Sequence, residues 1–292
     1  LRDSAGKIDS KASYHPATKT AKFEAQSTLH LQMLCRQLFG ISVMNQLTFS
    51  TPPTLSCTGT VRLSSGSPPE TMITGQISVS DFSFLGSRFE KLETDFSSHN
   101  RDVFLTRLHA THSKGELKGR ILLKDESIQY EADSTLPASS YTPFLNESGI
   151  GKALENALFH DDSSIHIKAR GTMNRHRLTQ WEADGYAKIN NFSYKGTSLN
   201  SLSGYYSLSA LRSDFTDIKA DFNYDDYALK KAHEGPSSSS VSASSIYLNR
   251  DEATIKLENI SGTAWPAPIV RLFVPSVADH IEKYRFHRPP NL

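Results

Sequence analysis

The stretch Thr74–Ser97 reads TGQISVSDFSFLGSRFEKLETDFS, and Asp184–Ser207 answers it as DGYAKINNFSYKGTSLNSLSGYYS. Gly75 matches Gly185, Phe82 matches Phe192, Ser83 matches Ser193, Gly86 matches Gly196, Leu92 matches Leu202 and Ser97 matches Ser207. Every pair is 110 residues apart (185 − 75 = 110), without a gap. Val79 with Ile189, Asp81 with Asn191, Phe84 with Tyr194, Phe89 with Leu199 and Phe96 with Tyr206 keep the same offset in softer form. Self-similarity at a fixed spacing decides architecture, and the repeated unit here is made of strands. Ile77 and Val79 alternate with polar neighbours, the period of a half-buried strand. At Asp81 the apolar parity flips, so that Phe82 and Phe84 occupy even positions. The second copy flips at Asn191. An Asp or Asn at a parity flip predicts a bulge or tight bend that keeps one face apolar. Gly86 and Gly196 then mark a turn.

Working outward, residues 1–28 read as two strands, with Ile8 in the first, Ala21, Phe23 and Ala25 in the second, and a turn at His15-Pro16. Leu31, Leu34, Cys35 and Leu38 fall on one face of a short helix over 30–39, ended by Gly40. Extended chain follows over 43–49, then a strand carrying Leu55, Cys57, Gly59, Val61 and Leu63 on one parity. Beyond the central unit come strands at 103–110, at Leu117 to Leu123 and at Ile128 to Ala132. A helix is expected over 142–159, and a strand at Ile165 to Ala169. After the second copy, Ile218, Ala220, Phe222 and Tyr224 alternate. The serine-rich run 235–245 reads as a flexible loop. Two strands around Ile246–Leu248 and Ala253–Leu257 precede a third short helix over 266–277, with Ile269, Leu272, Phe273 and Val277 apolar. The segments LTFSTPPTL (47–55) and YRFHRPPNL (284–292) each follow a helix and match at an offset of 237 (289 − 52 = 237). Strand, helix, Pro-Pro and meander therefore recur in order.

The 292 residues include 37% hydrophobic and 22% charged side chains, the balance of a folded chain. A formal net charge of +1 gives no basis for nucleic-acid binding or for an acidic membrane surface. No apolar run approaches the ~20 residues of a membrane span. The chain starts at Leu1 and its repeat order runs on at Leu292, so it is expected to be a segment of a longer protein. Two cysteines, Cys35 and Cys57, form neither a disulfide framework nor a metal ribbon and read as small buried hydrophobes.

The unit from Gly75 to Leu92, with the pattern G-x-I-x-V-x-D-F-S-F-x-G-x-x-F-x-x-L, recurs among short helices and beside a strand of the form Gly115-x-Leu117-x-Gly119. It resembles the AsmA/TamB superfamily of bacterial envelope proteins, over most of the chain. That resemblance implies an elongated, U-shaped, taco-like antiparallel sheet in a periplasmic protein whose parent is anchored in the inner membrane. It implies an apolar inner face that carries phospholipid acyl chains between the inner and outer membranes. The helix-plus-Pro-Pro elements depart from the best-known members.

The residues support a mainly β, repetitive open sheet with about three short helices, read as one region over 1–292 with sub-units 1–65, 66–173 and 174–292. One face of about a dozen alternating strands must be covered, since burial stabilises apolar area by ~25 cal/mol per Å². A long apolar trough is a binding surface. Its candidate lining is Ile77, Val79, Phe82, Phe84, Leu117, Ile121, Leu123, Ala187, Ile189, Phe192, Tyr194, Ala220 and Phe222. The competing reading packs these side chains on the helices as a dry core of a structural or protein-binding scaffold. Expected partners are a phospholipid or other lipid, and envelope proteins, without nucleic acid.

No catalytic constellation stands out. His160, Asp161, Asp162 and His166 form the densest polar cluster, but straddle an expected helix end and loop where Asp is a common cap. His109 and His112, three apart on a strand end, point to opposite faces and are expected to be solvated. Asp125-Glu126 and Asp225-Asp226 sit in expected turns. Gly149-Ile150-Gly151 lacks the preceding strand of a phosphate loop. No cofactor, metal or enzymatic activity is expected.

Overall fold

The computed structural model describes residues 2–3, 6–28, 47–64, 66–84, 86–100, 102–124, 126–145, 156–174, 180–223, 238–249, 254–273, 275–284, 286 and 289–291. The described chain is mainly β. Its strands pair antiparallel in an open sheet, with short helices, and do not close into a barrel. It divides into two compact units, residues 1–143 with 170–181, and residues 144–169 with 182–292.

The first unit carries β1 (Arg2–Asp3), β2 (Gly6–His15), β3 (Thr20–Ser27), β4 (Leu47–Phe49), β5 (Thr54–Arg62), β6 (Glu70–Phe84), β7 (Ser87–His99), β8 (Asp102–His112), β9 (Gly115–Lys124), β10 (Ser127–Ser134) and most of α1 (Ala138–Leu145). From β5 to β10 each strand pairs with the next as a meander, while β5 also pairs with β3 and β4 with β6. The second unit carries most of β11 (Ala157–Asn174), then β12 (Trp181–Tyr194), β13 (Thr197–Ser209), β14 (Arg212–Asn223), β15 (Ser238–Asn249), β16 (Thr254–Glu258), β17 (Ser261–Gly262), α2 (Pro266–Phe273) and α3 (Pro275–Ile281). Here β12 to β15 form the meander, and β15 pairs with both β16 and β17.

The predicted parity flip is present in both copies. Asp81 (φ 48°) and Asn191 (φ 53°) are left-handed. This conformation costs most side chains ~1 kcal/mol and is tolerated best by Asn and Asp. On either side the ladder continues unshifted, Ser80↔Lys91 then Phe82↔Phe89, and Asn190↔Ser201 then Phe192↔Leu199. Val79 and Phe82 thereby reach one core, as do Ile189 and Phe192 in the other. The turn glycines Gly86 (φ 84°) and Gly196 (φ 76°) are also left-handed.

The repeat extends beyond Ser97 and Ser207. Arg107 (φ 52°) and Asp217 (φ 51°) are left-handed too, again 110 apart (217 − 107 = 110). Register shifts between Glu93 and Asp95, and between Ser203 and Tyr205, keep the same spacing (203 − 93 = 110). On the far side of Asp81 the partner of β6 changes from β5 to β4, with Ser50 N donating to Asp81 O at 2.9 Å. In the second copy β11 runs through the same slot, where Ser163 Oγ donates to Asn191 O.

Three expectations need correction. The helix drawn over 142–159 is instead α1, starting at Ala138, and residues 157–159 already belong to β11. Phe159 stacks on Phe192 with centroids 6.1 Å apart, and takes the position that Phe49 holds opposite Phe82 (159 − 49 = 110). The serine run 238–245 is strand rather than loop, because β14 offers it a ladder from Asn223↔Ser238 to Arg212↔Asn249. The last helix is two, α2 and α3, and Val277 is 47% exposed while Ala278 is fully buried. The helix expected over 30–39, Cys35, Gly149-Ile150-Gly151 and Asp225-Asp226 lie outside the described residues.

Candidate functional site: one apolar face, half of it covered

Antiparallel register sorts the apolar face into transverse rows. In the first unit Val79, Leu92, Ala110, Leu117 and Ser134 stand directly opposite one another across β6 to β10. Phe82 and Phe89 sit beside this row, their rings stacked at 5.1 Å. Over it lie Leu136 and Tyr141 from α1 and the turn before it. Tyr141 Oη and Ser134 Oγ share a 2.6 Å hydrogen bond. Burial pushes the Tyr141 phenol above its ordinary value, against the opposing pull of that bond. The second unit repeats the plan: Ile189, Leu202, Ala220 and Val241 form a row, with Phe192, Leu199 and Phe222 alongside. Trp265, 1% exposed, covers it with Ile269 and Leu272. The β12–β13 turn holds α2 down, Thr197 Oγ1 donating to Pro268 O at 3.2 Å and Lys195 Nζ to Leu272 O at 2.8 Å. An ammonium at a helix C-terminus also meets the negative end of its dipole.

A second row crosses the same face nearer the opposite strand ends. In the first unit it runs Ala25, Cys57, Gly75, Phe96, Leu105, Ile121 and Tyr130, over seven strands in direct register. Its counterpart runs Gly185, Tyr206, Phe215, Ile246 and Leu257. Members of the first-unit row are half-buried rather than buried. In the second-unit row all are half-buried except Leu257, which is exposed. The aromatic rings lie flat across neighbouring glycines. A Cβ on Gly75 would meet Phe96 Cε1 at 2.6 Å, and one on Gly185 would meet the Tyr206 hydroxyl at 2.6 Å. Only glycine leaves room for such a floor. Cys57, in this row, is a free thiol whose titration burial shifts upward.

The predicted lining therefore divides. Val79, Phe82, Phe192, Ala220 and Phe222 are buried beneath the helices, and Ile77, Phe84, Leu117, Ile189 and Tyr194 pack against those clusters. Ile121 stands in the open row, Leu123 beyond it among buried Val103 and half-buried Ile128, and Ala187 between the two rows. Phe96, Leu105, Tyr130, Tyr206, Phe215 and Ile246 are open-row residues missing from the predicted lining. Their strand parity was the available signal.

Charged pairs lie on the opposite face, within β7 as Lys91–Glu93 (2.8 Å) and across neighbouring strands as Arg107–Asp95, His109–Glu116 (2.8 Å) and Arg120–Glu131. Exposed pairs of this kind are screened by solvent and add little to stability. Bonds from Lys118 first, and then from His109, hold the Glu116 carboxyl below its usual range. His109 belongs to this network. His112, expected in solvent, instead sets its ring edge-on to Phe89 at 5.7 Å, and its Nδ1 accepts from Lys114 N at 3.0 Å. It occupies the place of Phe222 (222 − 112 = 110). His160 and Asp162 lie on β11 rather than on a helix end. His160 Nε2 shares a 3.3 Å bond with Ser193 Oγ, and Asp162 accepts from Asn191 Nδ2 at 3.2 Å. Among the described residues no three His, Cys, Asp or Glu side chains converge as a metal site requires. No described helix is long and apolar enough to cross a membrane. The chain matches no protein-family model, no curated protein and no solved structure.

Proposed function

We propose that the open row is a hydrocarbon lane, and that the chain is a non-enzymatic module of the bacterial envelope which shields phospholipid acyl chains on their way between two membranes. The observation that carries this reading is the row from Cys57 to Tyr130, apolar and half-exposed, while the charged pairs lie on the other face. A face with this division keeps tails against side chains and leaves headgroups in water. The likeness of Gly75–Leu92 to the AsmA/TamB pattern supports the same reading, with a periplasmic location and an anchor in the parent protein. The two α-helices at the covered rows are then walls of the lane, not its floor.

A second reading has an observation of its own. Ten of the thirteen predicted lining residues belong to helix-covered clusters, as a scaffold with a dry core requires. Mass spectrometry of lipids extracted from gently purified protein separates the two. The control is the pair Leu105→Asp with Ile121→Asp, which charges the open row without touching either covered cluster. Phospholipid on the parent chain and none on a folded variant supports the lane. A folded, lipid-free parent chain supports the scaffold.

A further inference from the structure

We propose that the polar face of the first unit carries a furrow which binds a linear, uncharged chain of N-acetylated amino sugars. The furrow crosses the middle of the sheet, on the face opposite the open row. Its floor is backbone at Ser27, Leu55 and Ile77, whose side chains turn the other way, and its walls are the residues on either side of them. From Gln76 and Ser78 it continues over β7 and β8 to His109 and Lys118. Gln26, Ser56, Gln76 and Asp95 stand directly opposite one another along one wall. Gln26, Ser56 and Gln76 are exposed, and among the described residues none hydrogen-bonds their side chains.

The chemistry of the occupant follows from these walls. The charges along the furrow are matched in pairs, Lys7 with Asp9, Glu93 with Lys91 and Arg107 with Asp95, which suits an uncharged ligand. The middle offers hydroxyls and carboxamides, and a carboxamide both donates and accepts, as the acetamido group of an amino sugar does. Gln26 and Gln76 are separated by two inter-strand spacings, about 9.6 Å. In an extended β-1,4-linked chain alternate sugars present the same group to the same side and at nearly this spacing, so a chain laid across the strands offers acetamido groups to both glutamines. The second unit carries a separate sign at the same places in the repeat. Tyr186 stands where Gln76 does, and Tyr205 where Asp95 does (186 − 76 = 110; 205 − 95 = 110). Their rings meet at 5.3 Å, directly opposite in register, and Tyr205 remains 54% exposed. Such rings present an apolar body and a polar tip to water, which suits the C–H face and hydroxyl rim of a sugar.

The test titrates the 292-residue chain, by isothermal calorimetry, with chitohexaose and with cellohexaose. The first is the β-1,4-linked hexamer of N-acetylglucosamine, and the second lacks the acetamido groups. Chitohexaose is expected to bind saturably and cellohexaose about tenfold more weakly, the contribution of one or two hydrogen bonds. Gln26→Ala with Gln76→Ala, both at exposed positions, should weaken chitohexaose by a similar factor and erase the preference. Leu105→Asp with Ile121→Asp, on the other face, should leave this binding unchanged, which keeps the furrow and the hydrocarbon lane separable. The absence of saturable chitohexaose binding to the parent chain overturns the proposal. So does equal affinity of the parent chain for the two hexamers, undiminished affinity in a folded glutamine variant, or loss of binding in a folded lane variant.

Discussion

The two covered cores share a frame and differ in filling. In both, a left-handed Asp or Asn turns the strand over, a stacked or packed aromatic follows, and a short helix closes the top. The first core is capped by Leu136 and Tyr141 and admits His112 at its margin. The second is capped by Trp265 and places Phe222 where the histidine stands. At the inner bulge the first copy has Thr94, whose Oγ1 donates to Thr106 O at 3.0 Å, and the second has Gly204, close to the carbonyl of Thr216. Backbone irregularities recur at fixed spacing while the side chains around them change. The repeat is therefore a repeat of backbone path first, and of residues second.

Truncating the caps probes that difference most strongly. Trp265→Ala removes the larger buried side chain and is expected to cost about 4 kcal/mol, against about 3 kcal/mol for Leu136→Ala. Urea midpoints for the two variants, with m-values compared, would show it. Equal losses would mean that the covers contribute alike despite their different filling. Next in size are the flips. Asp81→Ala and Asn191→Ala are each expected to cost about 1 kcal/mol, whereas glycine at either place costs close to nothing. A similar alanine penalty in both copies supports a shared device; a penalty in one copy only would break the equivalence.

Tyr141 has no counterpart under Trp265, so alkali should distinguish the covers. Its folded-state value lies above the unfolded one, so its contribution is complete below about 10 and is lost as pH rises through the folded value. Exchange protection of α1 should fall in that window while α2 keeps its own, and Tyr141→Phe, at a cost of about 1 kcal/mol, should abolish the difference. The smallest effect concerns Glu116. Its folded value is depressed, so its contribution is present above the unfolded-state value and lost as pH falls through the folded one. Lys118→Met should move the Glu116 carboxyl resonance in an NMR titration toward the ordinary range.

Much of this was readable beforehand because strand periodicity is local. Alternation placed each apolar face, and the flip at Asp81 and Asn191 was visible as a change of parity beside a residue type that accepts positive φ. The flip at Arg107 and Asp217 was not: Thr106 matches Thr216 and Leu108 matches Ile218, but Arg carries no preference for that conformation and gives no sign of it. Phe159 shared the 110 spacing with Phe49, but an apolar run beside it suggested a helix; pairing with β12 decided otherwise. Composition alone favours a loop for the serines of β15, and the ladder offered by β14 overrides that preference. For the candidate site, alternation identified the face but carried no sign of which rows the helices would cover. That depends on contacts between residues distant in the chain, such as Trp265 over Phe222.

The open row of the first unit also has a length. Seven residues in register are separated by six inter-strand spacings of about 4.8 Å, or about 29 Å in all, close to the ~30 Å hydrocarbon thickness of a bilayer. One leaflet contributes half of that thickness. On the proposed lipid-shielding role, a single unit would accommodate two acyl chains end to end, so a tail would meet fresh apolar surface ahead before its own end had left the surface behind.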